Sequence, residues 1–261
     1  MNTLTWFGQA SFVIEAQQTR IAIDPFFSQI EGRRGKAHPI DDLGDVQAVL
    51  ITHEHLDHWD VPTIKRLRTN LPSLQVVLPA PLGDLARQAG FSGSEITLAH
   101  PGQRVSIGGL HVVPVLSSHA VHVQDGYGFG DPAGRFLGYC VTVGSAVLYH
   151  SGDTILYSGL SETLRKLKVQ WVLLPINGRN FYREQHDIVG NLDAEEAVRL
   201  AEEIDAEAMV PMHYDAFTGN LADPSAVLYW TLQRQTRFTV LVPAYGIPIP
   251  LPERVNNKLI G

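Results

Sequence analysis

The run Thr52-His53-Glu54-His55-Leu56-Asp57-His58 places three imidazoles and a carboxylate within six residues, directly after the apolar run Ala48-Val49-Leu50-Ile51. At a strand end, side chains at i and i+2 point to the same face, so His53 and His55 can reach one metal ion. As the chain turns, Asp57 and His58 swing to the other side of the same cavity, where they can hold a second ion roughly 3.5–4 Å away. The alternative is a solvated polar loop. Such loops rarely gather three neutral imidazoles, good ligands for Zn²⁺, Mn²⁺ or Fe²⁺, beside an aspartate. Four side chains do not complete two coordination spheres, so the pattern predicts further donors downstream.

Three apolar runs end in such donors: Pro114-Val115-Leu116-Ser117-Ser118-His119, Ala146-Val147-Leu148-Tyr149-His150-Ser151-Gly152-Asp153-Thr154, and Ala208-Met209-Val210-Pro211-Met212-His213-Tyr214-Asp215. Each is weak alone, since Ser-Gly-Asp-Thr by itself is an ordinary turn. Their order, each at the carboxyl end of a strand, gives them weight, because strand ends in α/β folds share one rim where sites lie. The set resembles the metallo-β-lactamase superfamily of binuclear metallohydrolases. That resemblance implies His119 as third ligand to the first ion beside His53 and His55. It implies His213 as the residue closing the second shell with Asp57 and His58, and Asp153 as the bridging carboxylate. Within the superfamily the chain is most similar to the ascorbate-6-phosphate-lactonase-like group of metal-dependent hydrolases. Thr5-Trp6-Phe7-Gly8-Gln9-Ala10-Ser11-Phe12, Ile23-Asp24-Pro25, Tyr149-His150-Ser151-Gly152-Asp153, Pro175-Ile176-Asn177-Gly178-Arg179 and Val210-Pro211-Met212-His213-Tyr214-Asp215 carry this similarity. The chain departs from the group in two ways: Gln9 stands where relatives often carry histidine, and the chain is shorter than the sugar-lactonase members. The implied fold is α/β, an αββα sandwich of two mixed β-sheets flanked by helices.

Local patterns suit that architecture. Strand-like runs occur at 11–16, 20–24, 48–52, 75–79, 111–115, 136–143, 146–150, 170–174, 208–211 and 237–242. Asp193-Ala194-Glu195-Glu196 reads as a capping box. Asp223-Pro224 reads as an N-cap followed by proline in the first turn. Asp60-Val61-Pro62 can start a helix after the metal motif, and Gly90 can end one beginning near Pro81. With 261 residues, 44% hydrophobic, and no linker or composition shift, one domain spanning 1–261 is expected. Neither a signal-like N-terminus nor an ~18-residue apolar span is present, so the expected location is the cytoplasm, away from membranes.

Cys140 is the only cysteine, which excludes an intrachain disulfide and cysteine-based zinc sites; its apolar neighbours predict a buried strand thiol. A formal charge of −7 argues against a nucleic-acid partner. The one dense basic run, Arg33-Arg34-Gly35-Lys36, is either a solvated loop or a mobile edge of the site mouth that attracts anions. A small-molecule substrate is expected, with a homo-oligomer left open.

Two divalent cations, Zn²⁺ or Mn²⁺ with Fe²⁺ also compatible, lower the pKa of a bridging water and give hydroxide for attack on carbonyl carbon or phosphorus. Asp57 and Asp153, or His150 and Tyr214 from behind the ligands, are candidates to deliver the proton to the leaving group. Asp24 either orients a ligand histidine or caps the next turn. Asn177, Arg179 and Tyr214 are candidate substrate contacts, Arg179 as an anion fork or alternatively a structural ion pair. His122 and His186 can line the same cavity or be ordinary loop histidines. The favoured function is hydrolysis of a small, anionic ester, lactone or phosphoester. Alternatives are a phosphodiesterase acting on nucleotides or RNA, a di-iron redox enzyme, which typically carries a carboxylate in place of His55, and a non-enzymatic metal scaffold.

Overall fold

The computed structural model describes residues 1–35 and 37–252. Two seven-stranded mixed sheets face each other. The first comprises β1 (Thr3–Trp6), β2 (Phe12–Ala16), β3 (Thr19–Ile23), β4 (Ala48–Leu50), β5 (Gln75–Pro79) and β6 (Ile96–Ala99), with β14 (Ile249–Pro250) added beside β1. The second runs from β7 (Val105–Ile107) through β8 (Leu110–Leu116), β9 (Leu137–Val143), β10 (Ala146–His150), β11 (Trp171–Pro175) and β12 (Ala208–Met212) to β13 (Thr239–Val240). The two sheets share one plan: four antiparallel strands (β14, β1–β3; β7–β10) continue into three parallel ones (β4–β6; β11–β13).

Strands β4, β11, β12 and all but the first residue of β5 are apolar because both of their faces are covered, whereas β6 and β13 at the sheet edges are partly open. Along β4 and β5 the faces alternate with period two. Leu50 and Val77 join the larger core between the sheets, whereas Val49, Val76 and Leu78 join a second core with Ile64 and Leu67 of α1 (Val61–Asn70) and Ala86 of α2 (Gly83–Gln88). The second sheet is covered by α3 (Leu160–Lys166) and α5 (Ala194–Glu203), which contribute Leu164, Ala197 and Val198 to the larger core. The short α4 (Phe181–Gln185) and α6 (Ser225–Arg234) complete the set. None of the described helices is long and apolar enough to cross a membrane.

The expected strands form, but 48–52 ends at Leu50 because Thr52 bonds outside the ladder, and 237–242 shrinks to a two-residue pairing. Strands β1, β6, β7 and β14 carry too few consecutive apolar residues to register as strands in the sequence. The capping box at Asp193 closes as expected. Asp223 instead sits one residue further out, its carboxylate accepting from Ser225 N at 2.8 Å. The helix near Pro81 is short, with Gly90 (φ 95°) just beyond its end.

Asp60 ties the metal-motif segment to the fold. Its buried carboxylate caps α1 at Thr63 N and accepts the Thr63 hydroxyl (2.7 Å), the backbone N–H groups of Phe27 and Ser28 (2.9 and 2.8 Å) and the Ser28 hydroxyl (2.6 Å). Asp60→Ala strands these donors, so urea unfolding is expected to show a loss of about 3 kcal/mol; a loss below about 1 kcal/mol would contradict this account.

Candidate metal centre

Thr52 is the residue at which the chain leaves the first sheet, and both sheets hold it there. Its N–H and hydroxyl donate to the two oxygens of Asp24 at 2.8 and 2.6 Å, and its carbonyl accepts from Leu137 N of the second sheet at 3.0 Å. The hydroxyl proton is thus committed to Asp24, so Thr52 Oγ1 accepts from His53 Nδ1 at 3.0 Å and leaves His53 Nε2 with a lone pair. The chain then turns, with His58 N and Trp59 N both donating to His55 O (2.9 and 2.7 Å), and brings Asp57 and His58 opposite His53 and His55.

Seven side chains converge in two groups, His53, His55, His119 and Asp153 in one and Asp57, His58 and His213 in the other, with the donor atoms of each group within 4.8 Å of one another. His55 donates Nε2–H to Val121 O at 3.0 Å and so presents an unprotonated Nδ1, 3.0 Å from His53 Nε2 and 3.3 Å from His119 Nε2. His58 donates Nδ1–H to Asp24 at 2.7 Å and presents Nε2. Asp153 divides its carboxylate between the groups: Oδ1 lies 3.3 Å from both His58 Nε2 and His213 Nε2, and Oδ2 lies 3.6 Å from His119 Nε2.

This donor set fits divalent metal. His53 Nε2 and His55 Nδ1 point lone pairs at each other across 3.0 Å, an arrangement that a cation between them relieves. Asp153 Oδ1 is buried without a hydrogen-bond partner. Burial, reinforced by neighbouring His58 and His55, holds His53 well below the ordinary imidazole range, and burial brings His119 down to about 3; both are neutral, as ligands must be. In the other group burial opposes charge, yet Asp153 and Asp57 outweigh it, raising His58 well above its usual value and His213 to about 9. Burial likewise opposes ionisation of Asp57 and Asp153, but His58 and His213 hold both below the usual carboxylate range.

Gln9 reaches the same place. Its amide Nε2 donates to Asp57 Oδ2 at 2.7 Å and lies 3.0 Å from His213 Nε2, while its carbonyl accepts from His213 N at 3.1 Å. Gln9, Asp24 and His213 all have left-handed backbones (φ 49°, 46° and 62°), a conformation that costs a non-glycine residue on the order of 1 kcal/mol and is held by the surrounding bonds.

A cavity of about 470 Å³ opens over these donors, with His55, Asp57, Asp153 and His213 in its lining. The expected substrate contacts do not line it. Arg179 is corrected to the structural alternative: its guanidinium forks onto Glu196 (2.7 and 2.6 Å) and bonds Asn191 O. Asn177 is buried and donates to Asn220 Oδ1 while accepting from Asn191, so only its partner Asn220 reaches the wall. Tyr214 stacks on Trp6 with ring centroids 5.5 Å apart, and burial pushes its phenol up to about 12. His150 is a core residue bonded to Ala10 O and Gly152 N. In the basic run, Arg33 bonds Phe26 O and Ser28 O and lies over the Phe26 ring; Lys36 lies outside the described residues. His186 bonds Tyr182 O, whereas His122 does line the cavity, paired with Asp187 at 2.7 Å. The roles of Gln9, Thr52 and Asp187 had no motif to announce them, although the Gly8-Gln9 turn sits inside the most distinctive N-terminal segment.

The family described as the beta-lactamase superfamily domain matches residues 19–214. The chain belongs to that superfamily. This superfamily member is 30% identical over 223 residues to a UPF0173 protein of Pyrococcus furiosus, covering 85% of this chain and 86% of the relative. It is 27% identical over 249 residues to a UPF0173 metal-dependent hydrolase of Thermoplasma volcanium, covering 95% and 98%. Among solved structures, a metallo hydrolase from Ignicoccus hospitalis superposes with a TM-score of 0.75 at 24% identity, covering 97% and 99%. The superfamily member thus falls with the UPF0173 proteins, several of which are named metal-dependent hydrolases, and has the metallo-β-lactamase fold.

In chelator-stripped protein the charged pairs set a pH dependence. His213, at about 9 when folded against ~6.5 unfolded, contributes stability that is fully present below pH 6.5 and lost as pH rises through 9. Urea titrations of the stripped protein between pH 6 and 10 should show a decline to which His213 contributes about 3 kcal/mol, so that His213→Asn makes it shallower while His58 sustains the rest. An unchanged slope in the variant would refute the pairing.

Proposed function

We propose that this protein is a binuclear metal-dependent hydrolase, holding two Zn²⁺ or Mn²⁺ ions, with Fe²⁺ also suited to the donors, and cleaving a small ester, lactone or phosphoester. The observation that supports this reading is the position of Asp153, one oxygen towards each donor group at the floor of an open cavity. His53, His55 and His119 would hold one ion, Asp57, His58 and His213 the other, with Asp153 between them. Such a pair lowers the pKa of a shared water towards neutrality and polarises the oxygen of the bond under attack. Asp24 and Val121 O fix the ring tautomers of His58 and His55, and Gln9 holds Asp57 in place. Among the described residues lining the cavity there is no lysine or arginine, which favours a small molecule over nucleotides or RNA.

His122 is the group best placed to protonate the leaving group. Asp187 accepts from its Nδ1 and is itself fixed by Val123 N at 2.8 Å, so Nε2 is left to the cavity. The hydrogen bond to Asp187 raises the imidazole above its ordinary value, which keeps a proton available near neutral pH.

Protein purified with Mn²⁺ or Zn²⁺ should retain two ions per chain and cleave at least one of a lactone, phosphodiester and thioester panel. Asp57→Ala and His119→Ala should abolish that cleavage. Two retained ions with no turnover across a broad panel would leave a metal scaffold instead. For a cleaved ester series, His122→Asn should slow substrates with poor alkoxide leaving groups by about 10²-fold while sparing nitrophenyl esters; equal losses for both would remove His122 from this role.

A further inference from the structure

The charged side chains in the cavity lining are paired, and much of its wall is hydrocarbon. Leu56, Val121, Ile188, Val189 and Phe217 line it, drawn from four separate loops. Leu56, in the middle of the metal-binding turn, is 58% exposed although nothing in the turn's backbone requires a large apolar side chain there. Val121, Ile188 and Phe217 are half-buried and Val189 is buried, so Leu56 completes an apolar wall around one opening, the kind of concave site that takes up an apolar group.

The nearby cations are withheld from this space. Arg179 is spent on Glu196, and Arg33 on two carbonyls and the Phe26 ring. Arg183 is spent on the carbonyls of Asn177, Gly178, Gly219 and Leu221, where it braces the Phe217–Asn220 wall from behind. Of the basic groups in the lining outside the two donor groups, His122 faces Asp187, with Asp125 Oδ2 on its own backbone N–H, while the exposed Arg34 lies outside the lining. An anionic tail would find no free countercharge on the described walls, and a cationic one only a carboxylate already in use.

We infer that the part of the substrate remote from the reacting bond is uncharged and apolar, a hydrocarbon chain or ring seated against Leu56, Val121, Ile188, Val189 and Phe217. This differs from the anionic substrate that Arg179 and the Arg33–Lys36 run suggest in the sequence. It rests on the hydrolase reading for the place of the reacting group, but its test reads binding and so can fail separately.

Calorimetric titration of protein purified with Zn²⁺, using straight-chain acyl hydroxamates from two to eight carbons and the monohydroxamate of succinic acid, tests this inference. Affinity should rise about fourfold per added methylene, equivalent to ~0.8 kcal/mol, and the succinyl compound should bind at least tenfold more weakly than its four-carbon neutral counterpart. Ile188→Lys and, at an exposed position that folding tolerates, Leu56→Lys should each weaken the eight-carbon compound at least tenfold and narrow the gap to the succinyl one. Chain-length independence, tighter binding of the succinyl compound, or no binding by any hydroxamate would overturn the inference. If chain-length dependence holds while no ester, lactone or phosphoester is cleaved, the hydrolase reading fails and the apolar site stands. If esters are cleaved without regard to chain, the reverse holds.

Discussion

Thr52 is held from both sides, and the site depends on that clamp. Its N–H and hydroxyl belong to Asp24 at the end of β3, and its carbonyl to Leu137 at the start of β9. The same Asp24 carboxylate orients His58, and the same Thr52 hydroxyl orients His53. Relative motion of the two sheets would therefore break hydrogen bonds inside the core as well as disperse the donors. Rigid strands bring both sheets to one rim, and the buried pair Asp24 and Thr52 sets ring orientation there.

The site is assembled against local cost. Lone pairs face each other, a carboxylate oxygen is buried without a donor, and three side chains that reach the centre have left-handed backbones. Elsewhere in the core, alternation, caps and apolar strands agree with one another. The other six left-handed non-glycine residues lie in exposed turns, so the buried ones all reach this centre, and buried backbone strain of this kind gathers at functional sites.

The seven converging donors were legible in the sequence because each is an ionisable residue at the end of an apolar run, and order along the chain then constrains position on the rim. The fold was legible for a related reason, since parallel strands buried on both faces leave unbroken apolar runs. The walls were not. Leu56, Ile188 and Phe217 carry no motif, and apolar residues in loops read as ordinary punctuation until the loops are placed around one opening. Arg179 misled because a guanidinium beside Asn and Gly looks the same in sequence whether it faces a ligand or, as here, Glu196 seventeen positions on at the start of α5. Gln9 was visible only as a departure from relatives; its contact with Asp57 depends on a turn conformation that side-chain patterning does not encode.

The bond from His213 N to Gln9 O joins positions 204 residues apart, and a second, from Gln9 N to Asp215, spans 206. Closing so long a loop brings a large entropic penalty early in folding and little reward until both sheets exist. A growing chain would expose the His53–His58 turn long before its complement arrives. Full coordinating capacity therefore belongs to the finished molecule, and a metal ion caught early meets only part of its cage.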